Sequence, residues 1–202
     1  GGSVISGTGV HNFYNLIIAG SNITAAATSS IAVSGNLTTS NPGVFTHLPG
    51  GTLTMSGTAK TISGTGITLD NLTVTGTVSS SSSLLITGNI SVTGSFTSSN
   101  PGSILMNGIT KTIGGGGTIL FSSLQISGTV IASSGFSISQ SLDISGTFSA
   151  TAGTATFTGS STLNGSANLF NVTINGTSLI LSTSSVLGIA NIFTITAGSL
   201  NV

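Results

Sequence analysis

Charge is almost missing from this chain. Its 202 residues include two lysines, Lys60 and Lys111, and two aspartates, Asp70 and Asp143, with no Arg or Glu. An ordinary soluble domain carries about a quarter charged residues; here the fraction is 2% and the net charge is zero. Nucleic acid is therefore excluded as an expected partner, because its phosphates demand many Lys and Arg side chains. Anionic membrane surfaces are excluded on the same ground. Cys is absent, so no disulfide supports the fold and the redox compartment stays open. No stretch of about 18 apolar residues exists, which excludes insertion of a membrane-spanning helix. The opening Gly1-Gly2-Ser3 has no signal-peptide pattern, so an exported chain carries its signal elsewhere or has lost it.

What fills the chain is Gly, at 30 copies, with Ser, Thr, Val, Ile and Leu. A hydrophobic fraction of 38% is enough for a core and argues against disorder. β-Branched residues and Gly favour strands and turns over helices.

A short motif recurs, in which two apolar residues alternate with polar ones and a Gly closes the run. It reads Asn71-Leu72-Thr73-Val74-Thr75-Gly76, Asn89-Ile90-Ser91-Val92-Thr93-Gly94, Ser123-Leu124-Gln125-Ile126-Ser127-Gly128 and Ser141-Leu142-Asp143-Ile144-Ser145-Gly146. The closing glycines are Gly20, Gly35, Gly57, Gly76, Gly94, Gly108, Gly128, Gly146, Gly159, Gly176 and Gly198. Their spacing averages roughly 18 residues, a period close to that of stacked repeat units. Longer landmarks also return. Thr39-Ser40-Asn41-Pro42-Gly43 comes back as Ser98-Ser99-Asn100-Pro101-Gly102, and Ala59-Lys60-Thr61-Ile62 as Thr110-Lys111-Thr112-Ile113. They define one repeat domain over 1–202, with long repeats at roughly 5–61, 62–112, 113–162 and 163–202.

Alternation is the period of a strand with one buried face. It points Leu72, Val74, Ile90, Val92, Leu124, Ile126, Leu142, Ile144, Val172 and Ile174 inward. One strand and one bend every ~18 residues predicts an all-β fold, an elongated β-solenoid of about eleven turns in which neighbours jointly bury a core. A row of small β-sandwiches is the alternative, since sandwich strands arrive roughly every 8–12 residues.

The texture of Asn71 to Gly76, Asn89 to Gly94, the Asn-Pro-Gly turns and Lys60-Thr61-Ile62-Ser63-Gly64-Thr65-Gly66 resembles the strand-repeat regions of large surface proteins. These include filamentous-haemagglutinin-like and autotransporter-passenger-like adhesins. The likeness covers the whole chain and rests on composition and period, so it transfers no functional residue. It implies export to the cell surface, a β-helical stalk, and an adhesive or scaffolding role with surface glycans as one class of partner.

Few side chains can carry chemistry. Asp70, Asp143, Lys60, Lys111, His11 and His47 are the titratable candidates apart from Tyr14. Asp70 and Asp143 occupy different motif positions, and two carboxylates in separate repeats do not make an acid–base pair. We therefore expect no catalytic residue, no enzyme activity and no cofactor. His11 and His47 lack further ligands nearby in sequence, so no metal site is expected. Lys60 and Lys111 share a register, which suits one face three turns apart. Seven sequons, at Asn22, Asn36, Asn71, Asn89, Asn164, Asn171 and Asn175, are candidate glycosylation sites in an exported protein. The repeated position of Asn71, Asn89 and Asn171 also fits corner asparagines that bond neighbouring turns.

Three functional readings follow. The first is a non-enzymatic subunit or segment of an extracellular filament or stalk, associating end to end with copies of itself. Neither end of the chain shows a cap. Val4, Ile5, Ile195, Leu200 and Val202 are the apolar residues expected at such contacts. The second is a monomeric adhesin or carbohydrate-binding surface domain. The third, an ice-binding solenoid, needs a regular outward Thr ladder. The outward pairs read along the motif run from Ala32/Ser34 through Leu105/Asn107 and Asp143/Ser145 to Thr173/Asn175, an irregular series.

Overall fold

The computed structural model describes residues 2–202; Gly1, the first residue of the expected repeat domain, lies outside them. Every regular element among the described residues is a β-strand, and every strand pairing is parallel. The chain is a β-solenoid. Each turn lays one strand on each of three faces, here called I, II and III, and each strand pairs with the strand one turn above and one turn below.

The first turn places Ser3–Ile5 on face I, Val10–Phe13 on face II and Leu16–Ala19 on face III. The fourth places Ile67–Leu69, Asn71–Val74 and Thr77–Ser80 in the same order. Towards the C-terminus corners tighten and strands run through them. Thr118–Ile126 passes from face III to face I at Ser122, and Ser166–Leu181 visits all three faces. Ten turns are complete, and residues 199–201 form the first strand of an eleventh. At about 4.8 Å per strand the rod is roughly 50 Å long.

The expected core is where the alternation placed it. Leu72, Val74, Ile90, Val92, Leu124, Ile126, Leu142, Val172 and Ile174 are buried, and Ile144 packs half-buried against them. In-register stacking makes columns of like residues, such as Ile31, Leu53, Leu72 and Ile90 along face II.

The length of one turn differs from the spacing of the glycines, and the cause is physical. The closing glycine marks a corner, and three different corners use it. Gly57, Gly76, Gly94 and Gly117 stack between faces II and III; Gly108, Gly128 and Gly146 between I and II; Gly159, Gly176 and Gly198 between III and I. At each corner the backbones of adjacent turns nearly touch. A Cβ on Gly94 would lie 2.0 Å from the carbonyl oxygen of Gly76, and one on Gly128 equally close to that of Gly108. Only glycine fits such an approach. The steps from Gly20 to Gly35, from Gly94 to Gly108 and from Gly146 to Gly159 are the three shortest, and each spans two corners rather than three. The ten glycine steps from Gly20 to Gly198 thus cover nine turns of the coil. One turn takes roughly 20 residues, the lower end of the range for stacked repeat units.

Candidate functional site

The titratable side chains are dispersed over the rod. Lys60 begins a face III strand in the third turn and Lys111 a face II strand in the sixth. They are three turns apart, as expected, but not on one face. Their local bends are nevertheless alike. Each follows a residue of positive φ, Ala59 at 53° and Thr110 at 56°, and each lies against a corner glycine, Gly57 or Gly108. The same bend has been used at two different corners. The Lys60 ammonium sits 5.7 Å from the centre of the Tyr14 ring, a cation–π contact across two turns.

Asp70 closes a face I strand at the corner of the fourth turn and is almost fully buried. Its Oδ2 accepts the Gly50 N–H at 2.6 Å and the Asn71 amide at 2.9 Å, while Oδ1 accepts the Thr87 hydroxyl at 2.9 Å. Its oxygens are committed to holding three successive turns together. One turn below, His47 is buried against Gly51, where a Cβ would collide with the ring. Its Nε2 lies 3.0 Å from the Ser29 carbonyl oxygen and 3.3 Å from the Ser29 hydroxyl. Burial pushes the His47 pKa below its ordinary value, opposed by the Ser29 backbone bond and by the Asp70 charge. Ser29, His47 and Asp70 are a stacked interior corner with no opening to solvent wide enough to expose any of them by a tenth. Sequence reading missed this corner, because the three residues are 18 and 23 positions apart and share no motif.

His11 lies on face II of the first turn and His47 on face I of the third. Among the described residues no group of three or more His, Cys, Asp or Glu comes together.

The sequon asparagines divide. Asn36, Asn71, Asn89 and Asn171 are corner residues whose side-chain oxygens bond the next turn. Asn36 accepts the Thr61 N–H at 3.0 Å, Asn71 the Asn89 N–H at 2.9 Å, Asn89 the Thr112 N–H at 2.9 Å and Asn171 the Ile192 N–H at 3.2 Å. Asn71 and Asn164 also donate from the amide nitrogen a glycan would occupy, to Gly51 and Asp143 respectively. Asn22 and Asn175 are exposed.

The outward surface is set by face, not by motif. The motif's outward pairs lie on face II up to Ser91, on face I from Leu105 to Asp143, and on face III from Thr156. Their irregularity comes from changing face. Followed along face III alone, one column reads Thr61, Ser79, Thr97, Leu120, Ser137, Thr156, Thr173 and Thr194 in unbroken register.

The two ends differ. In the first turn Leu16 and Ile18 are buried, while Ile5 and Phe13 are half-covered. Val4 points outward beside Thr24. In the last turn the core-facing Phe193 and Ile195 stay 41% and 47% exposed, Leu200 is half-covered, and Val202 is free. Comparison with known families, with curated proteins and with solved structures finds no match to this chain.

Proposed function

We propose that this chain is a non-enzymatic structural rod, a subunit or segment of an extracellular filament or stalk that stacks end to end with copies of itself. The observation that carries the reading is the stacking itself, in which each three-strand layer offers its backbone groups and inward columns to the next in parallel register. Phe193 and Ile195 continue the inward columns of Val172 and Ile174, so a further layer in the same register, from a following segment or from a second copy, would cover them. A second copy would supply such a layer, its first turn presenting Ile5 inward on face I, Phe13 on face II and Leu16 and Ile18 on face III. Strand addition would then extend the three sheets from one copy to the next, a heterologous contact that propagates. The scatter of Asp70, Asp143, Lys60 and Lys111 supports the absence of turnover. The near-chargeless Ser/Thr surface suits an exposed extracellular rod.

Sedimentation velocity with negative-stain microscopy tests assembly. Filaments or concentration-dependent growth are expected, and Ile195→Asp should reduce the material to monomers by placing an unpaired charge in the junction. A chain that stays monomeric at high concentration would refute assembly.

The face III column favours a second reading, ice binding. Seven of its eight positions carry hydroxyls, with a fixed spacing of about 4.8 Å, on a sheet whose one charged residue is Lys60. Thermal hysteresis that is lost in Thr156→Lys would support it, and its absence in the unaltered protein would dismiss it.

A further inference from the structure

We propose that face I carries a binding groove for an uncharged, extended β-linked polysaccharide chain lying along the rod. Most of the outward surface is Ser, Thr and Asn, but face I has one column of a different kind. Thr68, Leu85, Leu105, Gln125, Asp143 and Asn164 stand in continuous register on six successive turns. Beside them runs a column of small residues, Ser103, Ser123, Ser141 and Thr162. Large side chains next to small ones make a trough. Two depressions flank the column, one around Leu85 and Ser103, the other, of about 380 Å³, on the opposite side beside Asp143, Asn164 and the small residues Ser127, Ser145 and Gly165. They share Leu105 and Gln125 as a common wall, the first opening on the Ser103 side of the column and the second on the side of Ser127, Ser145 and Gly165, so a chain following the column crosses from one to the other over those two side chains.

The chemistry of the column changes along its length. Leu85 and Leu105 offer partly exposed aliphatic surface on which the C–H face of a pyranose ring can rest. Gln125, Asp143 and Asn164 offer donors and acceptors for hydroxyl groups. Asp143 is held in place for this. Its Oδ2 accepts the Ser141 hydroxyl at 2.7 Å and its Oδ1 accepts the Asn164 amide, so the carboxylate is fixed while retaining free lone pairs.

The occupant follows from the geometry. The column repeats at the strand spacing, about 4.8 Å, over five steps and roughly 24 Å. That rise is close to one sugar unit of an extended β-linked chain, so successive rings meet successive turns. A peptide strand would need a free sheet edge, which a mid-rod face does not offer. An anionic polymer is disfavoured because the one charge in the groove is Asp143 and both lysines lie on other faces. The groove does not require end-to-end assembly, and a monomeric rod presents it equally.

Titration of the full chain by calorimetry or NMR, with cellohexaose, chitohexaose and hexagalacturonate as probes, tests the proposal. At least one neutral hexasaccharide is expected to bind at millimolar concentration or better, with its trisaccharide weaker. Gln125→Ala and Leu105→Thr, both outward and compatible with a strand, should each weaken binding about fivefold, the equivalent of one hydrogen bond. Thr156→Ala on face III should change nothing. Three results would overturn it: no binding by either neutral probe, binding indifferent to both face I variants, or preference for hexagalacturonate.

Discussion

Turns two to five and turns six to nine share one backbone but fill it differently. The earlier turns bury more polar side chains, Ser29, Thr39, His47, Asp70, Ser80, Ser82 and Ser98, against Ser122 and Ser161 in the later ones. From Phe96 in the fifth turn onward the coil is packed by a chain of aromatic rings. Phe96 meets Phe121 at 6.3 Å, Phe121 meets Phe136 at 6.5 Å, and Phe136 reaches across from face III to Phe148 on face II at 5.8 Å. Those separations are in the range of favourable edge and tilted aromatic pairs. The interior of a solenoid can thus be completed in two ways. Polar groups are tolerated because stacked turns bring matching partners into register, as with Asp70 and the turns on either side. Rings are tolerated because three converging sheets leave a wide axial space. The first solution is sensitive to loss of a partner or to protonation, the second to loss of volume.

The largest expected effect tests the aromatic side. Phe121→Ala removes one of the two inner rings of the chain and should cost about 3–5 kcal/mol. Because each turn contacts chiefly its neighbours, hydrogen exchange should rise over turns five to eight while turns two and three keep their protection. Uniform loss along the rod would show one cooperative unit and erase the distinction between the two regions.

A smaller effect tests what the regions share. Gly94→Ala in the earlier turns and Gly128→Ala in the later ones both place a methyl 2.0 Å from a carbonyl oxygen. Each should cost about 1–3 kcal/mol or more in denaturant unfolding. Gly116→Ala, where a Cβ meets nothing within 4 Å, should stay within about 0.5 kcal/mol. Unequal losses at Gly94 and Gly128 would mean that the corners differ as the cores do.

His47 separates the regions by pH. Burial favours its neutral ring, so its folded pKa lies below the ordinary value of about 6.5. Near and below that pH the unfolded chain takes up the proton first, and stability falls as pH drops. Thermal melting between pH 7 and pH 5 should therefore weaken the unaltered protein, with faster exchange confined to the earlier turns. His47→Gln, which keeps a hydrogen bond to Ser29 without titrating there, should flatten the profile. Equal acid sensitivity in both halves would place the cause elsewhere.

The strand alternation was readable because Leu72 and Val74 or Ile90 and Val92 answer to strictly local sterics, one side in and one side out. The length of a turn was not. Gly94 and Gly108 look like successive copies of one sign, yet one turns the chain from face II to face III and the other from face I to face II. A corner is a local event, whereas its place around the axis depends on every segment length before it. The same gap misplaced Lys111 relative to Lys60 and made the outward hydroxyls look irregular. The corner role of the asparagines was legible, since Asn71 and Asn89 precede equivalent strands. The face I column from Thr68 to Asn164 was not, because its members belong to different parts of the motif and meet only through stacking.

The smallest expected effect concerns those asparagines and asks again whether the two regions are built alike. Asn89 in the earlier turns accepts both the Thr112 N–H at 2.9 Å and the Thr112 hydroxyl at 3.1 Å. Asn171 in the later turns accepts the Ile192 N–H at 3.2 Å and the Asn191 amide at 2.9 Å. Each corner is exposed enough for water to replace a lost partner in part. Asn89→Ala and Asn171→Ala should therefore each cost about 0.5–1.5 kcal/mol, the net worth of a hydrogen bond. Aspartate separates the two functions of Asn89. Asn89→Asp keeps the acceptor for Thr112 but loses the amide that donates to Asn71 Oδ1 at 3.1 Å, setting a charge beside that oxygen. If the bond to the next turn matters most, Asn89→Asp should be milder than Asn89→Ala. If the ladder of side-chain amides matters most, the order should reverse, and denaturant midpoints of the two variants at one ionic strength decide it.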